Sequence, residues 1–334
     1  MSSTVTKRPR VMAGMRPSGQ VHLGHLVGVL TQWANYSETA DAFFEIADLH
    51  AYTTDFEDPA KIRGARDEMV AAWLAAGVDP EKSTIFLQSG VPEISELQAL
   101  LAMITPISWL ERVPTYKGQI EALGQKIATY GFLGYPLLQL CDIASFRGEF
   151  VPVGRDQVAH LELGREIVRR FNYLYGDGRE VLVEPQATLS EFPDVPGTDG
   201  RKMSKSYDNA IYIGDDEETT TRKVRAMVTD PLKIRRGDPG RPEICPVFAL
   251  WRFVNPLKVD GIAAACRSGA LGCVQDKTDF AEQLNEYLRP VRERYAVYRD
   301  NPALVEQIVA DGTARAREIA AGVLADVKRA MKLT

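Results

Sequence analysis

The sequence predicts an α/β protein, with a parallel sheet built from βαβ units in residues 1–214 and a mainly α-helical domain over 215–334. Three observations predict it. Short β-branched and aromatic runs alternate with helical ones as far as Ile104, the pattern of strands covered on both faces by crossover helices. From about residue 185 the texture changes to "EPQATLSEFPDVPGTDGRKMSKS", a Pro-, Gly-, Ser- and Asp-rich loop longer than a connection needs. Beyond about Asp215 the chain reads as helix up to "AREIAAGVLADVKRAMKL". A chain of 334 residues holds one large domain or two ordinary ones, which suits this plan.

Each element has its own signal. "RVMAGM" (10–15) is a short strand, Pro17-Ser18-Gly19 a turn, and the apolar-periodic run from His22 to Tyr36 a helix. "AFFEIAD" (42–48) is the second strand. A helix then opens at Asp58-Pro59 and stops at Gly77, because Asp caps free N–H groups and Gly tolerates the left-handed exit. "STIFLQ" (83–88) is the third strand and "PEISELQALLAMI" (92–104) the helix after it. There is no internal repeat and no low-complexity tract.

Composition narrows the function classes. Hydrophobic residues make up 45% and charged residues 25%, as in a globular protein with a substantial core. The net charge of −5 does not attract polyanions as a whole, so a nucleic-acid partner would meet a local basic face. Residues 165–172, 233–241, 289–295 and 328–333 carry such faces, though each also reads as an ordinary solvated surface. No apolar run reaches membrane-spanning length, and "MSSTVTKRPR" lacks a signal peptide's apolar core. Four cysteines without an export signal imply reduced thiols and a cytoplasmic location.

Two motifs handle phosphate chemistry. In "RPSGQVHLGHLVGVL" (16–30), a strand, a small-residue turn and a helix start bring free N–H groups and the positive helix end to one point. His22 and His25 add imidazole donors there, and Gly24 lets a nucleotide lie against the backbone. In "GRKMSKSYDNAI" (200–211), Lys202 and Lys205 flank Met203 and Ser204, with Gly200 as a hinge. Two ammonium groups on a mobile segment suit a reaction that develops triphosphate charge. No Walker A motif, nucleophile triad or metal-ligand set is evident.

HLGH followed by KMSKS resembles the class I aminoacyl-tRNA synthetases over nearly the whole chain. The resemblance implies a Rossmann-type catalytic domain over 1–214 and a helical anticodon-binding domain over 215–334. It implies ATP, with Mg2+ on its phosphates, between the two motifs. His22, His25, Lys202 and Lys205 would be catalytic. Arg16, Ser18, Gly24, Lys117, Gly154, Asp156, Met203 and Ser204 would bind ATP.

Within the family, "ADLHAYT" (47–53), "GYPLLQLCDIASF" (134–146) and "VPVGRDQVAHLELGREIVRRFN" (151–172) resemble the tryptophanyl enzymes. Tyr135, Gln139 and Asp142 fall at i, i+4 and i+7, a polar stripe on one helix face that suggests a pocket wall. By resemblance Asp142 accepts from the substrate ring, while Tyr135, Gln139 and Gln157 surround the α-amino group. Met12, Gly14, His50, Val151 and Val153 complete that pocket. Asp142 alone does not separate indole from phenol, since both donate. Met12 does so, because tyrosyl enzymes of this type place a tyrosine there to meet the phenol oxygen.

The expected activity is activation of tryptophan to its adenylate and transfer to tRNA(Trp), by a cytoplasmic homodimer. The alternatives are a tyrosyl enzyme, a small-molecule nucleotidyltransferase, and a specialised paralogue acting chiefly as another protein's partner. Arg16 stands where the family often has a neutral polar residue, and Tyr207 where an acidic one is frequent. Cys245, Cys266 and Cys273 resemble part of a four-cysteine iron–sulfur motif found in one branch. Asp276 takes the fourth place, so a structural role is expected rather than a cluster.

Overall fold

The computed structural model describes residues 8–189, 195–235 and 237–334. Positions 190–194 of the long polar loop, 1–7 of the N-terminal stretch, and 236 within the basic stretch 233–241 lie outside the described residues.

Five parallel strands, β1 (Arg10–Met15), β2 (Asp41–Ile46), β3 (Ser83–Leu87), β4 (Phe150–Val153) and β5 (Gln186–Leu189), form one sheet. Their order is β3-β2-β1-β4-β5. The chain winds outward from β1 to β3, then returns to build β4 and β5 on the other side. Strand order therefore reverses between β1 and β4, and the crevice at their carboxyl ends is where such sheets bind ligands.

The first crossover begins with α1 (Leu23–His25), passes through a π turn at Leu26–Leu30 and continues as α2 (Thr31–Thr39). The sequence predicted one regular helix here. The Thr31 amide bonds the Leu26 carbonyl across this turn, and the Thr31 hydroxyl donates to the same oxygen at 2.8 Å. α3 (Asp48–Asp55) and α4 (Pro59–Ala75) lead from β2 to β3. Asp58 caps the Lys61 amide at 3.1 Å, and Gly77 leaves at φ +105°, so both signals for α4 hold.

The return path carries α5 (Pro92–Ala102), α6 (Ile107–Glu111), α7 (Pro114–Leu123), α8 (Tyr130–Leu133) and α9 (Tyr135–Ala144). α10 (Val158–Tyr175) joins β4 to β5. β5 lies in the stretch expected to be loop. It is a four-residue edge strand and mostly exposed, so it lacks the apolar run that marks β2 and β3.

Alternation along the strands divides the core. Phe44 and Ile85 face one side, where Phe44 stacks on Trp33 at 4.7 Å between ring centroids. Phe43 and Phe86 face the other, where each meets Phe146 at 5.0 and 4.8 Å.

α11 (Glu217–Ala226), α12 (Pro246–Val254), α13 (Val259–Arg267), α14 (Cys273–Arg299) and α15 (Pro302–Ala330) follow the sheet. Trp251, Phe280 and Leu284 join the core on the Phe44 side, while Ala316, Ala320 and Val323 of α15 join the other. α15 crosses β3 so closely that a Cβ on Gly312 would stand 1.8 Å from the Ile85 carbonyl oxygen. The Thr313 hydroxyl accepts from the Leu87 amide at 3.0 Å and satisfies a donor at the sheet edge. Among the described residues no helix is long and apolar enough to cross a membrane.

Candidate active site

A cavity of about 380 Å³ opens at the β1/β4 reversal. It is lined from four directions: Met12, Gly14 and Arg16 from β1 and its exit, His50 from α3, Tyr135, Gln139 and Asp142 from α9, and Val151, Val153, Gly154 and Gln157 around β4. All nine residues expected to form the amino-acid pocket line it, as do Arg16 and Gly154 from the ATP set. The helical stripe therefore faces a pocket, and its size is that of small-molecule sites.

Asp142 is buried, and two side chains hold it. His50 Nε2 lies 2.8 Å from Asp142 Oδ2, and Gln88 Nε2 donates to Oδ1 at 2.8 Å. A second network runs along the β4 side. The Tyr135 hydroxyl lies 2.8 Å from His160 Nε2, His160 Nδ1 lies 2.8 Å from Gln157 Oε1, and Gln157 donates to Asp156 at 2.6 Å. Burial lowers the pKa of His160, favouring the neutral ring that can donate at one nitrogen and accept at the other.

The two phosphate motifs meet beside this cavity. The Gly24 amide donates to the Met203 sulfur at 3.4 Å, and Lys205 Nζ donates to the Ser18 hydroxyl at 3.5 Å. The loop is anchored further by a hydrogen bond from the Leu23 amide to the Ile211 carbonyl at 2.8 Å. The His22 and His25 rings stack with centroids 3.7 Å apart. Burial, with Lys205 nearby, pushes His22 down to about 4. Burial, His22 and Lys205 push His25 down to about 3. Both are neutral at physiological pH, so each ring carries one N–H donor and no positive charge. Burial also lowers the pKa of Lys205.

Ser204 accepts from the Ser206 amide at 3.3 Å inside the loop, and Lys202 is exposed. Lys117 is exposed on α7, away from the cavity lining.

Sequence reasoning missed several groups. Asn209 is 2% exposed and braces the KMSKS loop, accepting from the Ser204 amide at 2.8 Å and donating to Asp199 and the Lys202 carbonyl at 2.7 and 3.1 Å. Gln88 and His160 hold the pocket's polar groups, and Glu45 lines the pocket from β2. A carboxyl in the middle of the apolar run "AFFEIAD" was the available signal for Glu45.

Cys245, Cys266, Cys273 and Asp276 surround a cavity of about 20 Å³ shared with Lys233 and Lys277. Burial raises the Cys245 and Cys266 thiols, favouring the protonated form. Asp276 is engaged by the Trp251 indole at 2.9 Å, and Lys277 donates to the Arg225 carbonyl at 3.0 Å. Three cysteines, with a carboxylate already engaged by an indole in the fourth place and two ammonium groups beside them, do not fit four-thiolate iron–sulfur ligation.

A reversed parallel sheet whose switch point carries an imidazole-bearing helix tip, latched to a lysine loop, defines the Rossmann-type nucleotide-binding class. Over residues 4–289 the sequence matches the class I tRNA synthetases (W and Y), and the chain belongs to that family. It is 44% identical over 331 residues to the tryptophan–tRNA ligase of Thermotoga maritima, covering 97% of this chain and 99% of that one. It is 40% identical over 396 residues to the Aquifex aeolicus ligase of the same name, covering 97% and 100%. Among solved structures, tryptophanyl-tRNA synthetase from Campylobacter jejuni complexed with ADP and tryptophan superposes with a TM-score of 0.86 at 33% identity, covering 97% and 99%.

Proposed function

We propose that this chain is an ATP-dependent tryptophan–tRNA ligase, which forms tryptophanyl-adenylate and passes the aminoacyl group to tRNA(Trp). The observation that carries the reading is the shared crevice: an amino-acid-sized pocket around Asp142 adjoins a helix tip and a lysine loop already in contact. The relatives' activity supports it.

The substrate carboxylate is ionised at neutral pH, so attack on the α-phosphate needs no general base. Catalysis is positioning plus charge stabilisation. His22 and His25 donate to phosphate oxygens, while Lys202 and Lys205 balance the charge that grows on departing pyrophosphate. Ser18, Gly24, Met203 and Ser204 shape that site, with Arg16, Gly154, Asp156 and Lys117 as further ATP contacts. Mg2+ arrives with the ATP phosphates. Tyr135, Gln139 and Gln157 hold the α-amino group, while Met12, Gly14, His50, Val151 and Val153 enclose the ring beside Asp142.

Residues 1–214 form the catalytic domain in this reading, and 215–334 read the anticodon through their basic faces. The enzyme acts as a homodimer in the cytoplasm. Amino-acid-dependent ATP–pyrophosphate exchange tests the core of it: tryptophan supports exchange and tyrosine does not. Exchange with tyrosine alone reassigns the pocket, and exchange with neither favours a binding-partner role.

A further inference from the structure

The strip of chain between the KMSKS loop and α11 is held from two sides. On one side it pairs with the segment that carries His22: the Leu23 amide donates to the Ile211 carbonyl at 2.8 Å, and the Ile213 amide donates to the Val21 carbonyl at 3.2 Å. His22 and Tyr212 therefore stand opposite each other in a short antiparallel bridge. So short a ladder is marginal by itself.

On the other side, one residue of α11 grips the strip at three points. Lys223 Nζ donates to Asp215 Oδ2 at 2.6 Å and to the Ala210 carbonyl at 3.0 Å, and it stands 4.6 Å from the centroid of the Tyr212 ring. Asp215 Oδ2 also accepts from the Tyr212 amide at 2.9 Å, so the ammonium balances a carboxylate that itself shapes the strip. The Lys223 and Asp215 side chains are 26% and 14% exposed, and water and salt screen them less than a surface pair. Ala210, Ile211 and Ile213 are buried, which ties the strip's backbone to the core.

Both phosphate-handling segments hang on this strip. Asn209, the brace of the KMSKS loop, directly precedes Ala210, and His22 faces Tyr212. A shift of the strip moves both.

We propose that Lys223 is a positioning residue for adenylate formation: by clasping residues 210–215 it sets His22 and the lysine loop against the same phosphates. The clasp gives the helical part of the chain a share in a step that needs no tRNA. The inference deepens the proposed tryptophan-activating function and rests on it.

Tryptophan-dependent pyrophosphate exchange without tRNA tests it, with working sites counted by the burst of ATP consumed in the first turnover. K223M keeps the stem's length and removes the ammonium. It should lower kcat per working site at least ~10-fold, as small misplacement of reacting groups does, while tryptophan Kd stays within about twofold. K223R keeps the charge and the donors and should recover most of the rate. Misfolded molecules drop out of the burst and do not mimic the effect. Wild-type kcat in K223M overturns the proposal, as does a K223R no better than K223M. A loss of tryptophan affinity as large as the loss of rate also overturns it, because the whole site is then disturbed rather than its phosphate end. Should K223M yield no working sites, D215N takes its place. It removes the carboxylate's charge and keeps an oxygen, so kcat per site should fall at least ~3-fold, and an unchanged kcat overturns the clasp. All these outcomes leave the tryptophan assignment standing. Wild-type protein that exchanges with neither tryptophan nor tyrosine removes the proposed function and the clasp with it.

Discussion

The Met203 sulfur accepts a hydrogen bond from the Gly24 amide at 3.4 Å, joining the KMSKS loop to the tip of α1. Gly24 permits this approach: a Cβ there would meet the His22 ring at 3.0 Å and the Met203 Cβ at 3.6 Å. The same contact brings Lys205 over the Ser18 turn. The HLGH and KMSKS segments are thus one unit in space.

Lys205 brings an ammonium of the loop within 3.5 Å of the Ser18 hydroxyl, beside that tip. K205A should lower tryptophan-dependent pyrophosphate exchange at least ~100-fold while barely changing tryptophan affinity, as loss of a transition-state charge contact does. Exchange kinetics and calorimetric tryptophan binding check this. An equal loss in binding reassigns the lysine to the ground state.

Asn209 holds the loop's shape through three hydrogen bonds from a buried position. N209A removes the acceptor of the Ser204 amide and a donor to Asp199, and should destabilise the protein by about 1–3 kcal/mol. Exchange should slow about tenfold or more, since loop misplacement weakens charge stabilisation. Thermal melts and kcat together check it. Unchanged kcat would mean that the loop keeps its shape without this brace.

The paired imidazoles set a pH dependence. Their ordinary value is 6.5, against about 4 for His22 and about 3 for His25 in the folded protein. Below about pH 6.5 the unfolded chain binds protons that the folded one refuses, so stability falls with pH and the loss levels off near the folded values. Above that pH the pair contributes no such loss. The expected decrease is on the order of a few kcal/mol. Urea midpoints at about pH 7.5 and 5 measure it, and H25N should flatten the profile. A wild-type profile as flat as that of H25N contradicts the burial argument.

Asp142 receives His50 and Gln88. D142N replaces one accepting oxygen with a donor that faces another donor. Tryptophan-dependent exchange should fall about 100-fold, matching loss of a buried charge-assisted hydrogen bond and its partners. Exchange with tryptophan across a concentration series tests it. Wild-type kinetics would remove Asp142 from the site.

Gly312 puts backbone against backbone where α15 crosses β3. G312A should destabilise the chain by more than about 2 kcal/mol, because the Ile85 carbonyl has no flexible end to yield. Chemical denaturation checks this, with A314G as a control on the same helix. A neutral G312A would show that α15 shifts without loss.

Much of this architecture is legible locally. β1, β2 and β3 announce themselves as apolar runs between turn residues, and Asp58 and Gly77 mark the ends of α4, because these signals act within a few residues. The stripe of Tyr135, Gln139 and Asp142 was legible for the same reason: helical periodicity alone puts them on one face. β5 was not, since an exposed edge strand buries little and has no pattern to show. Nor were Gln88, Asn209 and Glu45, single polar residues whose partners come from other elements.

By itself, then, the sequence determined the alternation of strands and helices, the helix tip with its two imidazoles, and the lysine loop. Each depends on backbone propensities and periodicity over short spans. Only the tertiary structure decided that β4 lies beside β1, so that Asp142, His50 and Glu45 face one cavity next to the joined motifs. Strand order is set by how distant apolar faces pack, and no local pattern encodes it.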